Sequence, residues 1–349
     1  MNGLSLFASA GIGETFLDMC GIDIIVANEL VPRRANLYKA LNPNCNVICG
    51  DITDENVFNK IIEASNGIEF LLASPPCQGM SVAGKNRCQN MMVTDERNYL
   101  VNYVAKTISL LNPKYVLIEN VPALLKIKLP HKGKLLSVIE MLKMEFGESY
   151  LIDSKVVDAA DYGVPQTRLR AIIKMCPKNV EWKWPTAVEH KTTVREAIGK
   201  LPSLEAGQDS GIKWHFARKH DERHILWMKH TPTGCSAFSN AEYFPQKKDG
   251  SRIKGYESSY RRIKWDEPSP TITIRNDAIS SQRNVHPGHL LSDGTYSDAR
   301  VLTPLELMIL NSLPENWNIP EDTSEILIRQ VIGESIPPLM IKRIVEGLK

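Results

Sequence analysis

The sequence predicts an α/β protein: a Rossmann-like, mostly parallel sheet covered by helices, with a smaller second domain. Three observations carry this. Short apolar runs alternate with helix-length segments through the first half of the chain. Each run stops at polar or glycine-containing residues, where open α/β sheets bind ligands. Near Pro185 the alternation ends and turn-rich stretches begin. With 349 residues the chain can bury one sizeable core and build a second lobe. Its 43% hydrophobic and 23% charged residues exclude a mostly disordered chain.

The first strand is expected at residues 4–7, running into Ala8-Ser9-Ala10-Gly11-Ile12-Gly13, with a helix carrying Phe16, Leu17 and Cys20 behind it. Further strands are expected at residues 22–28, 46–50, 70–73 and 115–118. They end at Glu29, Asp51, Pro75-Pro76-Cys77 and Glu119-Asn120 respectively. Residues 98–111 carry apolar side chains at three- and four-residue spacing and read as a helix. Glu29, Asp51, Cys77 and Glu119, far apart in sequence, should therefore meet on one rim of the sheet.

The second lobe is expected from residue 186 to 299. Six of the eight histidines fall between His215 and His289: His215, His220, His224, His230, His286 and His289. Residues 247–264 carry seven Lys/Arg, including Arg261 and Arg262, interleaved with Tyr256 and Tyr260 and followed by Trp265. A basic stretch of this kind fits a nucleic-acid face, and Arg261 and Arg262 are expected to touch phosphates. Residues 300–328 should form a hinge and return segment. Residues 329–349, with Ile341, Ile344, Val345 and Leu348 at helical spacing, should pack back on the first domain.

Net charge is only +2, so the distribution of charge says more than its total. The seven cysteines are scattered without metal-ligand spacing, and no metal site is expected. Cys20, Cys49, Cys176 and Cys235 read as small buried apolar residues. No apolar run approaches the roughly 20 residues of a membrane span. A cytoplasmic, reducing location is expected, and it suits a free thiolate.

Four groups suit chemistry. Ser9, Gly11 and Gly13 would let a ligand approach the backbone, and Glu29 could accept hydrogen bonds from a ribose. On its own this turn would also serve a nicotinamide enzyme. Pro75 and Pro76 would present Cys77 rigidly as a nucleophile, and the polar stretch 79–97 reads as a closing loop. Glu119 could bind the Watson–Crick edge of a pyrimidine and hold a proton at a ring nitrogen. In Gln166-Thr167-Arg168-Leu169-Arg170, alternate arginines on a strand would point the same way and hold a phosphate or a base carbonyl.

The order and identity of these motifs resemble the DNA (cytosine-5) methyltransferase family. The likeness runs from Leu6-Phe7-Ala8-Ser9-Ala10-Gly11 through Pro75-Pro76-Cys77-Gln78, Glu119-Asn120-Val121 and Gln166 to Arg170. It resumes at residues 300–306 (RVLTPLE) and ends at residues 330–338 (QVIGESIPP). The resemblance implies that Cys77 attacks C6 of a cytosine flipped out of double-stranded DNA, that Glu119 assists at N3, and that Arg168 and Arg170 hold the substrate. It implies a pocket for S-adenosyl-L-methionine at Phe7, Ser9, Ala10, Gly11, Glu29, Asp51, Ile52 and Pro76, with Glu334 and Ser335 near the methionine part. Gln78, Ser81, Asn120 and Gln166 are expected to touch the substrate, and the second lobe to be the target-recognition domain.

The chain departs from the family's pattern at Ser9 and Ile12, where glycines are usual, and at Glu334, where an asparagine is usual. Since the chain begins at its first strand, a compact bacterial restriction-modification enzyme is expected, monomeric in catalysis, with a partner restriction endonuclease acting separately. Two alternatives stay open. The family's tRNA-methylating branch typically follows Pro-Cys-Gln with Pro-Phe-Thr, whereas Gly79-Met80-Ser81 stand here. A DNA-binding protein without catalysis would fail to bind the methyl donor.

Overall fold

The computed structural model describes residues 1–76 and 96–348; Cys77, Gln78 and Ser81 lie outside the described residues. The chain divides into two units. The first is Met1–Asp158 with Leu169–Thr186 and Ile341–Lys349, and the second is Ala159–Arg168 with Ala187–Met340.

In the first unit the strands are β1 (Asn2–Leu6), β2 (Asp23–Glu29), β3 (Asn46–Cys49), β4 (Phe70–Ala73), β5 (Tyr115–Asn120), β6 (Lys128–His131), β7 (Lys134–Ser137), β8 (Tyr150–Asp158) and β9 (Leu169–Pro177). All but β6 and β7, which pair as a separate hairpin, form one seven-stranded sheet in the order β3-β2-β1-β4-β5-β9-β8. The first five of these pair in parallel, and β9 pairs antiparallel to both β5 and β8. Every residue of β4 and β5 is buried, as a continuous apolar run in a sheet covered on both faces should be. Helices α1 (Pro32–Leu41), α2 (Glu55–Ala64), α3 (Val101–Leu111) and α4 (Val138–Phe146) follow. The Asp54 side chain caps α2 by accepting from the backbone of Asn56 and Val57, and Ser137 with Glu140 forms a capping box on α4.

β1 lies between β2 and β4, so the chain winds outward one way through β2 and β3 and the other way through β4 and β5. The ends of β1 and β4 are the point where this winding reverses, and a crevice for a ligand opens there in doubly wound sheets.

The predicted helix after Gly13 is replaced by two single 3-10 turns, Ile12–Glu14 and Asp18–Cys20. Bonds from Leu17 N to Glu14 O and from Cys20 N to Leu17 O have 3-10 spacing. Three residues per turn puts Glu14 and Leu17 on the same side. Of the four cysteines expected inside, Cys176 is buried, Cys20 half-buried, and Cys49 and Cys235 are exposed.

The second unit holds short helices joined by long irregular segments: α5 (Val194–Ile198), α6 (Glu222–Lys229), α7 (Pro304–Leu310) and α8 (Glu325–Glu334). Its core gathers Trp227, Met228, Tyr260, Ile279, Val285 and Val301. The expected boundary at 185 falls next to the observed one at Thr186, but residues 159–168 and all of 300–340 group with this unit. Packing explains the shift. α8 lies against residues 273–274 so closely that a Cβ on Gly333 would stand 2.3 Å from the Thr273 carbonyl oxygen. No helix among the described residues is long and apolar enough to cross a membrane.

Candidate active site

Three residues of the turn after β1 have positive φ: Phe7 (60°), Ser9 (48°) and Gly11 (75°). At Gly11 a side chain is excluded on two counts: the conformation favours glycine, and a Cβ would stand 2.8 Å from the Tyr38 ring. Ser9 adopts a left-handed conformation that costs a residue with a Cβ about 1–2 kcal/mol. It is pinned there by its backbone N–H, which donates to Glu29 Oε2 at 2.8 Å. Glu29 ends β2 and is 5% exposed. Its Oε1 accepts from Val31 N at 2.9 Å, with Arg34 3.7 Å away. The turn and the carboxylate therefore hold each other in place. Just past β3, exposed Asp51 accepts from Thr53 N through Oδ1, and Ile52 is buried in the core.

The other half of the rim lies at the ends of β4 and β5. Asn120, 2% exposed, donates from Nδ2 to the Pro75 carbonyl oxygen at 2.8 Å, and its Oδ1 accepts from Val121 N. The chain entering Cys77 is thus tied to the end of β5. Beside it, Glu119 pairs with Arg170, Nε to Oε1 at 2.7 Å, with side chains 8% and 13% exposed. The register explains the pair. Glu119 faces Ile172 across the antiparallel β5–β9 ladder, so Arg170, two residues before Ile172, is its diagonal neighbour on the same face. Arg170 Nη1 also donates to the Leu169 carbonyl oxygen at 2.7 Å. A carboxylate so placed can take and return a proton while the guanidinium fixes its direction.

The whole chain, residues 1–349, matches the model of a family described as C-5 cytosine-specific DNA methylase. A type II methyltransferase of Avibacterium volantium, M1.HgaI, is 60% identical over 344 residues, covering 98% of this chain and 96% of its own. Another, M1.HphI of Haemophilus parahaemolyticus, is 28% identical over 350 residues, covering 99% and 86%. The solved structure of the Entamoeba histolytica methyltransferase EhMeth shares the fold, with a TM-score of 0.66 at 14% identity over 99% of this chain and 97% of that one. The chain belongs to the C-5 cytosine-specific DNA methylase family. Its activity is that of a DNA (cytosine-5-)-methyltransferase, EC 2.1.1.37, and the family implies S-adenosylmethionine as methyl donor.

Several residues expected to touch the substrate have polar partners inside the protein. Arg168 stands one residue before β9 and groups with the second unit, whereas Arg170 lies on β9. Arg168 is 2% exposed, and its guanidinium donates to the carbonyl oxygens of Ile272 (2.7 Å) and Gly333 (3.2 Å). Gln166, fully buried, donates to Asn311 Oδ1 at 3.1 Å and accepts from Ile272 N at 3.0 Å. Both fasten segments inside the second unit. The amide of Asn120 is likewise engaged within the protein.

Arg262 is not a surface cation. It is fully buried and donates to the carbonyl oxygens of Met228, His286, Tyr296, Ser297 and Asp298. Burial pulls its guanidinium down to about 10, still charged at neutral pH. Arg261 is half-buried, donating to the Glu257 carbonyl oxygen at 3.3 Å. Of the interleaved aromatics, Tyr260 and Trp265 are core residues and only Tyr256 is exposed. Half-buried Glu334 ends α8, and the Ser335 hydroxyl donates to the Ile332 carbonyl oxygen and accepts from Asn311.

One residue of the first unit escaped the sequence reading. The carboxyl of Glu14 accepts from the Ser5 hydroxyl at 2.5 Å and from the Tyr38 hydroxyl. Burial pushes it from 4.5 up to about 7, against the lowering pull of the two hydroxyls. Its position directly after the glycine turn was the available signal, since a carboxylate there needs partners.

Proposed function

We propose that this methylase acts by covalent catalysis on a cytosine flipped out of double-stranded DNA, with Cys77 as nucleophile, Glu119 as the acid–base group at N3 and Arg170 as the residue that aims Glu119. The observation that carries the proposal is the tie between the ends of β4 and β5, where Asn120 holds the Pro75 carbonyl two residues before Cys77. The Glu119–Arg170 pair is thereby held beside the chain that leads into the nucleophile.

The chemistry needs such an arrangement. C5 of cytosine is a weak nucleophile, and its neighbour C6 is out of reach inside a stacked duplex. Addition of the Cys77 thiolate to C6 moves the C5–C6 π electrons to C5 while Glu119 supplies a proton at N3. Once C5 carries the methyl group, loss of the C5 proton to water expels the Cys77 thiolate, N3 returns its proton to Glu119, and the ring is restored.

The residues at the ends of β1, β2 and β3 fit S-adenosylmethionine. Glu29 is a pinned carboxylate with acceptor positions for a diol, the turn through Ser9, Ala10 and Gly11 offers backbone groups, and half-buried Phe7 and Pro76 offer apolar surface, with Ile52 in the core beneath. When bound, that donor supplies the electrophilic methyl group for C5. The similarity to M1.HgaI supports type II modification of a specific site, with a partner restriction endonuclease acting separately. Arg261 is our candidate for a phosphate contact.

Trapping tests the mechanism. Duplex DNA with 5-fluorocytosine at the target should form a lasting adduct after methylation, because fluorine cannot leave C5 as a proton does. Mass spectrometry should find it on the peptide containing Cys77. Cys77→Ala should form none, and Glu119→Gln should form it far more slowly. An adduct on another cysteine, full activity in Cys77→Ala, or faster methylation of tRNA than of DNA would overturn the proposal.

A further inference from the structure

Below the turn that faces the proposed donor pocket lies a chain of hydrogen bonds that ends on one carboxylate. Cys45 Sγ donates to the Tyr38 hydroxyl at 3.9 Å, Tyr38 donates to Glu14, and Ser5 donates to Glu14 from the other side. Ser5 is on β1, Glu14 closes the 3-10 turn after Gly11, and Tyr38 is on α1. Ser5 and Tyr38 are each 1% exposed. The Tyr38 ring fills the space where a Gly11 side chain would stand, 2.8 Å from an added Cβ. Glu14 N also donates to the Gly11 carbonyl oxygen at 3.2 Å. The position of Glu14 therefore fixes both the ring beneath the turn and the end of the turn itself.

We propose that Glu14 is the positioning residue of the methyl-donor turn: its carboxylate, gripped by Ser5 and Tyr38, holds residues 7–11 in the conformation that receives S-adenosylmethionine. An ionised carboxylate only accepts hydrogen bonds, so it can receive both hydroxyls at once. Protonation puts a donor where one of those hydroxyls already donates, and one link must turn away. The other titratable groups against this carboxyl are Tyr38 and Cys45. Burial raises both, the tyrosine well above 10 and the cysteine to about 11, so neither changes charge near neutrality. Glu14, at about 7, does.

The inference rests on reading the turn as the donor pocket, and calorimetry separates the two. Affinity of the protein for S-adenosylmethionine, without DNA, should fall about tenfold from pH 8 to pH 6, because the ionised fraction falls from roughly nine-tenths to one-tenth. In Glu14→Gln the same range should change affinity no more than the ligand's own amino group dictates. That contribution is common to both proteins and cancels in the comparison. Tyr38→Phe removes one bond to the charged form and should move the midpoint to higher pH. A role in packing alone would weaken binding equally at every pH. Identical pH profiles in wild type and Glu14→Gln would overturn the inference. If Glu14→Gln does not fold, an unmoved midpoint in Tyr38→Phe would do so. No binding by the wild type at any pH would instead overturn the pocket itself.

Discussion

Replacing the neighbours Arg261 and Arg262 one at a time separates two kinds of arginine. Five backbone carbonyls converge on the Arg262 guanidinium, the shortest contact being 2.8 Å to His286 O, with no exposed surface. Gly288 keeps that space open, since a Cβ there would stand 2.4 Å from Arg262 Nη1. In Arg262→Ala those acceptors lose a charged donor inside the second unit. An unsatisfied buried acceptor costs about 1–3 kcal/mol. If entering water relieves half of them, two or three remain and the loss is about 5 kcal/mol. For a unit of this size each kcal/mol shifts Tm by about 2–4 °C, so the fall should be about 10–20 °C. Arg261→Ala should shift Tm by less than about 2 °C, as partly exposed substitutions do. It should instead flatten the slope of log Kd for DNA against log salt by about one unit. Differential scanning calorimetry and salt-dependent DNA binding on both single variants make the comparison. A Tm change under 3 °C in Arg262→Ala, together with a flatter salt slope, would show that its carbonyl cage is not what holds it.

Arg170→Ala should lower kcat about 100-fold or more, because a misaimed Glu119 is costly, while leaving the KM for DNA within a few-fold. A raised KM with unchanged kcat would make Arg170 a simple phosphate binder. The second unit should lose stability in mild acid. His286 Nδ1 accepts from Gly288 N at 3.1 Å, so the ring is neutral, and burial holds its pKa down to about 3. The unfolded histidine, near 6.5, takes up a proton first, so stability is full above pH 6.5 and falls as pH drops toward 3. By pH 4.5 the loss is about 3 kcal/mol. Below that, Glu306 adds to it: burial raises its carboxyl, but Arg300 and the Thr303 backbone N–H outweigh burial and hold it below the usual carboxylate range. Urea unfolding between pH 7 and 4.5 should show this slope flattened in His286→Asn, and an unchanged slope would refute the assignment. Glu14, raised to about 7, acts with the opposite sign in the first unit, so the difference between the two proteins is the quantity to read.

The rim was legible from the sequence because burial on both faces of a parallel sheet forces continuous apolar runs. β4 came out as residues 70–73, as expected, and Glu29 and Glu119 stand at strand ends. The arginines were not legible. Arg168, Arg170 and Arg262 have the same side chain, and only the surrounding backbone decides its role. Arg170 finds a carboxylate, while Arg168 and Arg262 find carbonyls contributed by residues up to 165 positions away. A basic sequence stretch states how many charges there are, not which of them are surrounded by backbone. The missing helix after Gly13 has a related cause. Drawing Glu14 inward to Ser5 and Tyr38 along with Leu17 suits three residues per turn, and that demand comes from β1 and α1 rather than from the local sequence.

The sheet order explains why one rim can serve both halves of a methyl transfer. β1 and β4 are hydrogen-bonded neighbours although residues 7–69 separate them, with Leu6 beside Ala73 in the register. The turn that begins at Phe7 and the Pro-Pro segment that begins at Pro75 thus leave adjacent strands from the same end. Ser74 N donates to the Leu6 carbonyl oxygen at 3.3 Å, Ala8 N to Asn28 O at 2.9 Å, and Asn120 Nδ2 to Pro75 O at 2.8 Å. Each link crosses from one strand end to the next, so the ends of β2, β1, β4 and β5 are connected by hydrogen bonds as well as by the sheet. The donor site we propose on β1 and β2 and the acid–base pair we propose on β5 and β9 then keep their separation through the sheet itself. That constancy is what transfer between two bound molecules requires, since an error of about 1 Å in their approach can cost about 100-fold in rate.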